Sequence, residues 1–498
     1  MRLPGLRYRD EWIPNFFPAR LAGPNQLVRL SRVGSMQVLT EQENRQLDEI
    51  SMDPALFQRL EQSGHIVTAD NAQRVMADLK KWQTRTYWGP GLHIVVLTKR
   101  CNLNCTYCHM NPEKISEDPK QFDMQPDTAD AVIRFALSTP SPRIDFEFQG
   151  GEAFLNFEGM KHFVLEAKRQ NASVGKQLKF TVVSNLMVVT DAHLEFCREH
   201  SIHLSYSLNG PQDIHDSMRI TRSGAGSYKT VMERLRYFQE KYPGMLSTSP
   251  LCVIGKDNAK HTRRMIDFYH EQGFKGIAIL KLKHLGNAVR SSLPFDIHEF
   301  LHYYLDGLDY IYEKNQRLGE NYAERTLRVL LLKVIDRADG GYVDWRNPVG
   351  DFNGAITYDH DGEILPSDEA RSMRGFFGLG NARDVTYEGL LRGGKALLST
   401  NLSIRDRDSQ CRECAYNPYC GVLPVLDYAR TGDPTPKPHV SEECIQTLAI
   451  LDWFFKRLLE DPLPIFRMLP GMDDFLMTLV EEAPKAAEEV ASALSARR

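Results

Sequence analysis

The residues that decide the fold are 92–108, which read LHIVVLTKRCNLNCTYC. The first six, 92–97, are mostly apolar and β-branched, which predicts a buried strand. Cys101, Cys105 and Cys108 follow this strand within one short loop. Their spacing allows three sulfurs to surround a single inorganic core, so the end of this strand is a candidate metal site.

Similar apolar runs recur along the following two hundred residues. Six β-rich runs occupy residues 92–97, 144–148, 180–183, 202–208, 247–254 and 276–282. Helix-like segments lie between them, at residues 128–137, 157–170, 191–200, 227–242 and 261–272. This alternation predicts an α/β fold with a parallel sheet, open or partly closed into a (β/α)6 barrel. In such folds ligands bind at the carboxyl ends of the strands, where the cysteine loop lies.

The flanking regions predict smaller units. Residues 1–88 read as a small α+β module, with short strands near 27–30 and 36–39 and helices near 41–50, 55–63 and 72–82. Such a module is either a packing appendage or a docking site for a peptide. Residues 297–339 read as helices, and the tail from residue 445 onward is also helical in pattern.

Composition excludes several classes of protein. The 498 residues include 61 Lys and Arg against 65 Asp and Glu, a formal net charge of −4, so no globally basic nucleic-acid surface is expected. There is no run of 18 apolar residues and no signal-peptide core, so we expect a cytoplasmic protein without a membrane span. In that reducing compartment clustered cysteines more often bind metal than form disulfides.

The first cysteine group favours an iron–sulfur cluster. Three thiolates satisfy three irons of a [4Fe–4S] cubane and leave the fourth iron open, as a catalytic centre requires. A structural zinc is the alternative and needs a fourth ligand. His109 is adjacent, but it is badly placed to close the same loop.

These residues and those after the later strands resemble the radical S-adenosylmethionine (SAM) enzymes. The signature is Cys-x3-Cys-x2-Cys with an aromatic residue, Tyr107, before the last cysteine. The resemblance implies that the residues that contact SAM are Tyr107, Gly150, Gly151, Glu152, Ser184, Asn185, Ser207 and Arg219. Among them, Glu152 would pair with the methionine ammonium of SAM, and Ser207 and Arg219 would hold its carboxylate.

This resemblance also implies the chemistry. The open iron would chelate the amino and carboxylate groups of SAM, and one electron would break the sulfur–C5′ bond. The resulting 5′-deoxyadenosyl radical would abstract hydrogen from the substrate, while the protein orients it and excludes side reactions. A reductase or a ferredoxin-type protein would supply the electron.

The second cysteine group contains four ligands, Cys411, Cys414, Cys420 and Cys444. Four thiolates complete either a cluster or a structural zinc site, and spacing alone leaves both open. The group resembles the SPASM extension of peptide-modifying radical SAM enzymes. Other ligand positions of that extension would fall near 352–354, at Ser367 and near 424, and none is cysteine here. The resemblance therefore implies one auxiliary [4Fe–4S] cluster, fully ligated by protein.

Asp368 follows the missing ligand position at Ser367. In peptide-oxidising relatives an acid near this position can act as a base, which makes Asp368 a candidate catalytic residue. The alternative is an ordinary turn or capping aspartate.

Several longer stretches look like the maturases of the His-Xaa-Ser peptide system. They are residues 92–98, 146–157, 341–344, 367–369 and 414–421. This resemblance implies modification of a ribosomally made peptide by a crosslink or an oxidised residue. The amino-terminal module would then dock the leader of that precursor peptide as an added strand.

The resemblance also divides the chain into five units: residues 1–88, a core at 89–296, a helical connection at 297–345, the auxiliary-cluster domain at 346–450 and a tail at 451–498. Two alternatives stay open. One is a radical SAM enzyme acting on a small molecule or a folded protein, and the other is a non-catalytic scaffold holding two zinc ions.

Overall fold

The computed structural model describes residues 12–23, 25–82, 88–110, 112–247, 249–290, 295–336, 343–421 and 423–469. The first residues of the amino-terminal module and most of the predicted carboxyl-terminal tail, 470–498, lie outside the described residues. Among the residues that are described, no helix is both long enough and apolar enough to cross a bilayer.

The strands form one large mixed sheet and four small ones. In chain order they are β1 (Trp12–Pro14), β2 (Arg20–Gly23), β3 (Gln26–Leu30), β4 (Met36–Thr40), β5 (Ile66–Thr68), β6 (Leu92–Thr98), β7 (Arg100–Cys101), β8 (Glu113–Lys114), β9 (Arg143–Gly150), β10 (Gln177–Ser184), β11 (Ile202–Tyr206), β12 (Leu251–Ile254), β13 (Gly276–Lys281), β14 (Ala323–Glu324), β15 (Ala355–Tyr358), β16 (Glu363–Leu365) and β17 (Gly380–Asn381).

The helices fill the connections between these strands. They are α1 (Glu41–Asp48), α2 (Pro54–Gln62), α3 (Ala72–Trp82), α4 (Pro119–Phe122), α5 (Pro126–Ser138), α6 (Phe157–Asn171), α7 (Asp191–Glu199), α8 (Gln212–Met218), α9 (Tyr228–Lys241), α10 (Thr262–Glu271), α11 (Asn287–Arg290), α12 (Ile297–Leu318), α13 (Arg325–Asp336), α14 (Arg374–Phe377), α15 (Tyr387–Arg392), α16 (Gly394–Leu402), α17 (Ser409–Arg412), α18 (Pro424–Thr431), α19 (Glu442–Glu460) and α20 (Leu463–Phe466).

The six predicted barrel strands are present and parallel. β6, β9, β10 and β11 lie side by side in the large sheet, and β12 pairs with β13 in a second parallel sheet. Parallel bridges from Leu204 to Leu246 and from Ser207 to Leu251 join the two sheets. The fold class predicted from the sequence, a partial (β/α)6 barrel, is confirmed.

Alternation along β9 separates the two faces of the barrel wall. Phe146 and Phe148 are fully buried and contact Phe163 of α6, with ring centroids 5.1 and 5.3 Å away. Glu147 and Gln149 point to the opposite face because strand side chains alternate. Gln149 donates to Glu147 over 2.8 Å there, so the barrel interior is polar near its carboxyl end.

The carboxyl-terminal extension continues the barrel wall. β15 pairs in parallel with β6, and β16 and β17 follow in antiparallel order. A turn at Gly362, where φ is +90°, joins β15 to β16. Because β15 lies beside the strand that precedes the first cysteine loop, the extension places residue 368 close to that loop.

The amino-terminal module is an α+β unit. β2, β3 and β4 form an antiparallel sheet, and Trp12, Leu39, Leu60 and neighbours form a separate small core. The module contacts the second cysteine group directly: Tyr419 donates to the carbonyl of Gly34 over 2.7 Å. The boundaries drawn from the sequence between the five units remain predictions.

Candidate functional site

A buried ion pair fixes the start of the first cysteine loop. Arg100 donates to both carboxylate oxygens of Asp123, over 2.8 and 2.6 Å, and Thr98 donates to the same carboxylate over 2.6 Å. Arg100 and Asp123 are both buried. These bonds hold Arg100 in place, and Cys101 follows it directly in the chain.

Loops after other barrel strands hold the rest of the cysteine loop. The amide of Asn104 donates to Ile220 and that of Thr106 to Met218, over 2.8 and 3.0 Å. Asn287, after β13, donates its amide to the Cys108 carbonyl over 2.8 Å and its side chain to the Cys105 carbonyl. Sequence reasoning missed Asn287, although a polar residue shortly after a predicted barrel strand is a signal that could have found it.

Two of the three thiols, those of Cys101 and Cys108, lie in a poorly solvated setting. Burial raises the pKa of Cys101 to about 12 and that of Cys108 to about 11. The amide of Leu103 donates to the Cys101 sulfur over 3.4 Å, and Asn185 Nδ2 lies 3.9 Å from it. These thiols must therefore lose their protons when they bind a metal, and the free energy of metal binding drives that loss.

Gly150 and Gly151 allow two backbones to meet. A Cβ on Gly150 would lie 2.4 Å from the Thr98 carbonyl oxygen, and one on Gly151 would lie 2.2 Å from that of Arg100. The amide of Gly151 donates to Thr98 over 2.8 Å. In this structure the glycines bring the end of β9 against the cysteine loop.

Glu152 is placed at the junction of three elements. Its carboxylate accepts from Ser184 Oγ over 2.9 Å, from the Asn185 amide over 2.8 Å and from the Phe154 amide over 3.3 Å. Only 1% of its surface is exposed, and burial raises its pKa. Glu152 thus ties the end of β9 to the end of β10, and its contact with a SAM ammonium remains a prediction.

Asn185 contacts the cysteine loop, and Ser184 contacts Glu152 beside it. Asn185 Nδ2 donates to Asn102 Oδ1 over 2.9 Å, and Asn185 Oδ1 accepts from the amide of Met187. Ser184 Oγ in turn accepts from the amide of Leu186 over 3.0 Å. The structure therefore brings together the residues predicted after the first three barrel strands.

Arg219 is a buried cation beside the same loop. Its guanidinium donates to the Tyr107 hydroxyl, whose pKa burial raises to about 12. Its Nε is buried and makes no hydrogen bond to any described residue. Ser207 follows β11 and bridges to Leu251, and among the described residues no hydrogen bond joins its side chain to Arg219. A buried donor without an acceptor suits an anionic ligand group.

Asp368 lies across from the cysteine loop. Its Oδ2 is 3.0 Å from His109 Nε2, and its Oδ1 accepts from Arg371 over 3.1 Å. Burial opposes ionisation, but His109 and Arg371 outweigh it and hold the pKa of Asp368 below its usual range. The sequence offers His109 only as a zinc ligand, so this pairing is new information from the structure.

The second cysteine group surrounds a cavity. Cys411 and Cys414 lie on and after α17, Cys420 follows a short turn, and Cys444 lies in the first turn of α19. All four line a cavity of about 1040 Å³. Burial raises the pKa of each thiol, to about 11 for Cys411 and about 12 for Cys444.

The spacing of the sulfurs bears on the choice between cluster and zinc. Within the described ranges, three ligand atoms lie within 4.8 Å of one another only at Asp359, His360 and Asp361. Two thiolates on one zinc are at most about 4.6 Å apart, because each Zn–S bond is about 2.3 Å. In each cysteine group, any three sulfurs therefore include at least one pair that is farther apart than a single zinc allows. This spacing fits a larger cluster core.

The chain has relatives among sequences and structures. Residues 95–269 match the radical SAM superfamily. A cysteine-type anaerobic sulfatase-maturating enzyme of Clostridium perfringens is 23% identical over 332 residues, 64% of this chain and 84% of that protein. The radical SAM cyclopropyl synthase TigE of Paramaledivibacter caminithermalis is 21% identical over 198 residues, 37% of this chain and 40% of that protein.

Two solved structures share the fold. Native anSMEcpe with bound AdoMet and Cp18Cys peptide has a TM-score of 0.61 and 19% identity, over 74% of this chain and 98% of that one. Streptococcus suis SuiB bound to S-adenosylmethionine has a TM-score of 0.50 and 14% identity, over 84% and 97%. Residues 95–269 are therefore a radical SAM domain, and the chain is an enzyme similar to the sulfatase-maturating enzymes.

Proposed function

We propose that this enzyme modifies a ribosomally made peptide with a SAM-derived radical and installs a crosslink or an oxidised residue. The observation that carries the SAM site is the junction of Cys101, Glu152, Asn185 and Arg219 at the carboxyl ends of the barrel strands. Cys101, Cys105 and Cys108 would hold a [4Fe–4S] cluster with one open iron. A cluster held there with SAM would supply the one-electron chemistry that generates a radical from SAM.

The chain's own residues would position these groups. Arg219 offers its free Nε to the SAM carboxylate, and Tyr107 fixes the plane of the guanidinium. The inward carboxylate of Glu152 orients the Gly150–Gly151 segment beside the loop. Asp368, ionised and bound to His109, would accept a proton from the oxidised substrate.

The second cysteine group would hold one auxiliary [4Fe–4S] cluster. Four thiolates line one cavity and leave no open position, so we assign it to electron transfer or structure and not to substrate binding. The wide spacing of the sulfurs supports a cluster over zinc.

A peptide substrate is supported by the amino-terminal module. Within the described residues β4 pairs only with β3, so its other edge has no strand partner there and would be the edge for an added strand. The opposite edge strand, β2, lies against α19 through the ion pair of Arg20 with Asp452. The peptide bound along with AdoMet in the anSMEcpe structure also favours a peptide substrate for the present chain.

The radical chemistry is tested by anaerobic SAM cleavage. The reconstituted chain with SAM and dithionite should form 5′-deoxyadenosine, and Cys105→Ala should abolish it, because two thiolates hold a cubane poorly. Cys197→Ala is a matched control, since Cys197 is buried in α7 away from both groups. Cleavage by Cys105→Ala at the parental rate would refute the assignment.

The peptide substrate is tested by hydrogen exchange with synthetic peptides translated from short reading frames beside this chain's gene. Binding to β4 should slow exchange at Met36–Thr40 and leave Arg20–Gly23 unchanged. If no peptide slows exchange or changes mass on turnover, a folded protein is the next candidate, because the similarity to a sulfatase-maturating enzyme covers 64% of this chain. A small-molecule substrate is the remaining alternative.

A further inference from the structure

Arg405 lies beside the second cysteine group, although no sequence pattern marks it. It begins a 3₁₀ turn, Arg405–Arg407, that leads into α17 and Cys411. Its amide donates to Asn347 Oδ1 over 3.0 Å, and only 9% of its surface is exposed. It lines the same cavity as the four cysteines.

The charge of Arg405 reaches three of the four thiols. Arg405 and all four cysteines line one cavity, where its charge acts on Cys411, Cys420 and Cys444. Arg20, from the amino-terminal module, does the same for Cys414. A single buried cation therefore faces most of the ligand set.

A buried carboxylate faces the same cation. Asp427 Oδ2 lies 4.0 Å from Arg405, and Asp427 is 2% exposed. Burial raises the pKa of Asp427 to about 6, and its charge acts on Cys444 in the sense opposite to Arg405. Two exposed or half-buried acids, Asp406 and Asp408, also act on Cys411, but solvent screens them more.

We propose that Arg405 sets the reduction potential of the auxiliary cluster by stabilising its reduced form, and that Asp427 limits this effect. The inference rests on the assignment of a cluster to these four cysteines. One-electron reduction adds a negative charge to the cluster, and a cation held nearby in a poorly solvated site stabilises that extra charge. Arg405 is thus a tuning residue that touches neither substrate nor SAM.

The test is a redox titration of the full chain followed by electron paramagnetic resonance. The background is Cys101→Ala, Cys105→Ala and Cys108→Ala, so that only the auxiliary cluster takes up iron. Dithionite supplies the electron, at about pH 8, where Asp427 with a pKa of about 6 is ionised. The variants are Arg405→Gln, Asp427→Asn and Arg407→Gln. Arg407 lines the same cavity but is exposed, so solvent screens its charge.

Arg405→Gln should lower the midpoint potential, Asp427→Asn should raise it, and Arg407→Gln should leave it near the parental value. An unchanged potential in Arg405→Gln at full iron content would overturn the inference. Should that variant take up less iron, Asp427→Asn decides: a raised potential supports the inference and an unchanged one overturns it. Zinc in place of iron in the background chain would overturn the cluster itself, and metal analysis identifies that case separately.

Discussion

At the scale of single residues, the proposed SAM site depends on a cation with an unused donor. Arg219 is 6% exposed, and its Nε has no acceptor among the described residues. Leaving such a donor unpaired costs about 1–3 kcal/mol of folding stability. An anion that accepts from this Nε would remove that cost. Tyr107 keeps the guanidinium in place meanwhile.

Arg219→Met should weaken SAM binding by about 10- to 100-fold, the loss of one charge-assisted hydrogen bond of about 1.5–3 kcal/mol. Calorimetry of SAM binding to the reconstituted enzyme measures it. Arg236→Met, which changes an exposed arginine of α9, is the matched control and should bind SAM as the parent does. Parental affinity in Arg219→Met would remove Arg219 from the site.

At the scale of elements, the site is built where strand ends approach each other. Gly151 lies where the end of β9 meets the cysteine loop, and any side chain there would contact the Arg100 carbonyl. The Glu152 carboxylate then links β9 to β10. The position of the cysteine loop therefore depends on this close packing of backbones.

Gly151→Ala should destabilise the chain by about 1–3 kcal/mol, because the added Cβ overpacks the junction. It should also reduce iron uptake at the first group, since the loop must move. Thermal unfolding and iron analysis measure the two effects. Gly394→Ala is the control, because a Cβ there meets no atom within 4 Å; equal behaviour of the two variants would contradict the prediction.

A second element-scale prediction concerns the start of α13. Glu324 is fully buried and accepts from the amides of Thr326 and Leu327 and from the Tyr304 hydroxyl, and burial raises its pKa to about 7. The folded state therefore binds the proton more tightly than the unfolded state, so stability falls as pH rises from about 4.3 to 7.

Glu324→Gln should remove this loss of stability, which reaches roughly 3 kcal/mol above pH 7. Denaturant unfolding at several pH values measures it: stability relative to the parent should improve as pH rises. A difference between the two chains that does not change with pH would show that Glu324 does not titrate in this range.

At the scale of the whole molecule, two cysteine groups lie in separate parts of the chain, and the second also anchors the amino-terminal module. Trp82 packs edge-on against Tyr419 at 5.6 Å, next to Cys420. Arg20 pairs with Asp452, which accepts from Tyr416 over 2.7 Å. The amino-terminal module is therefore attached to the rest of the chain beside the second cysteine group.

The two groups should load independently. The parent should take up about eight irons per chain, and Cys105→Ala and Cys414→Ala about four each. Cys414→Ala should still bind SAM, because the first group is intact. Iron, sulfide and zinc analysis after anaerobic reconstitution measures this; about four irons and one zinc in the parent would make the second site structural.

The sequence alone was sufficient for the barrel and the first cysteine loop. Strand and helix periodicity are local, and each predicted barrel strand from 92–97 to 276–282 is present. The polar residues predicted after the strands, including Glu152, Asn185 and Arg219, also lie together, because parallel strands bring their carboxyl ends to one edge.

Only the tertiary structure decided the contacts between distant segments. His109 and Asp368 are 259 residues apart, and Arg405 and Asp427 face the second group from different elements. The hydrogen bond of Glu152 with Ser184 and that of Tyr419 with Gly34 of the amino-terminal module also join segments that are distant in the chain. Local patterns specify which residues form a strand or a loop, whereas these pairings depend on how packed elements are oriented in three dimensions.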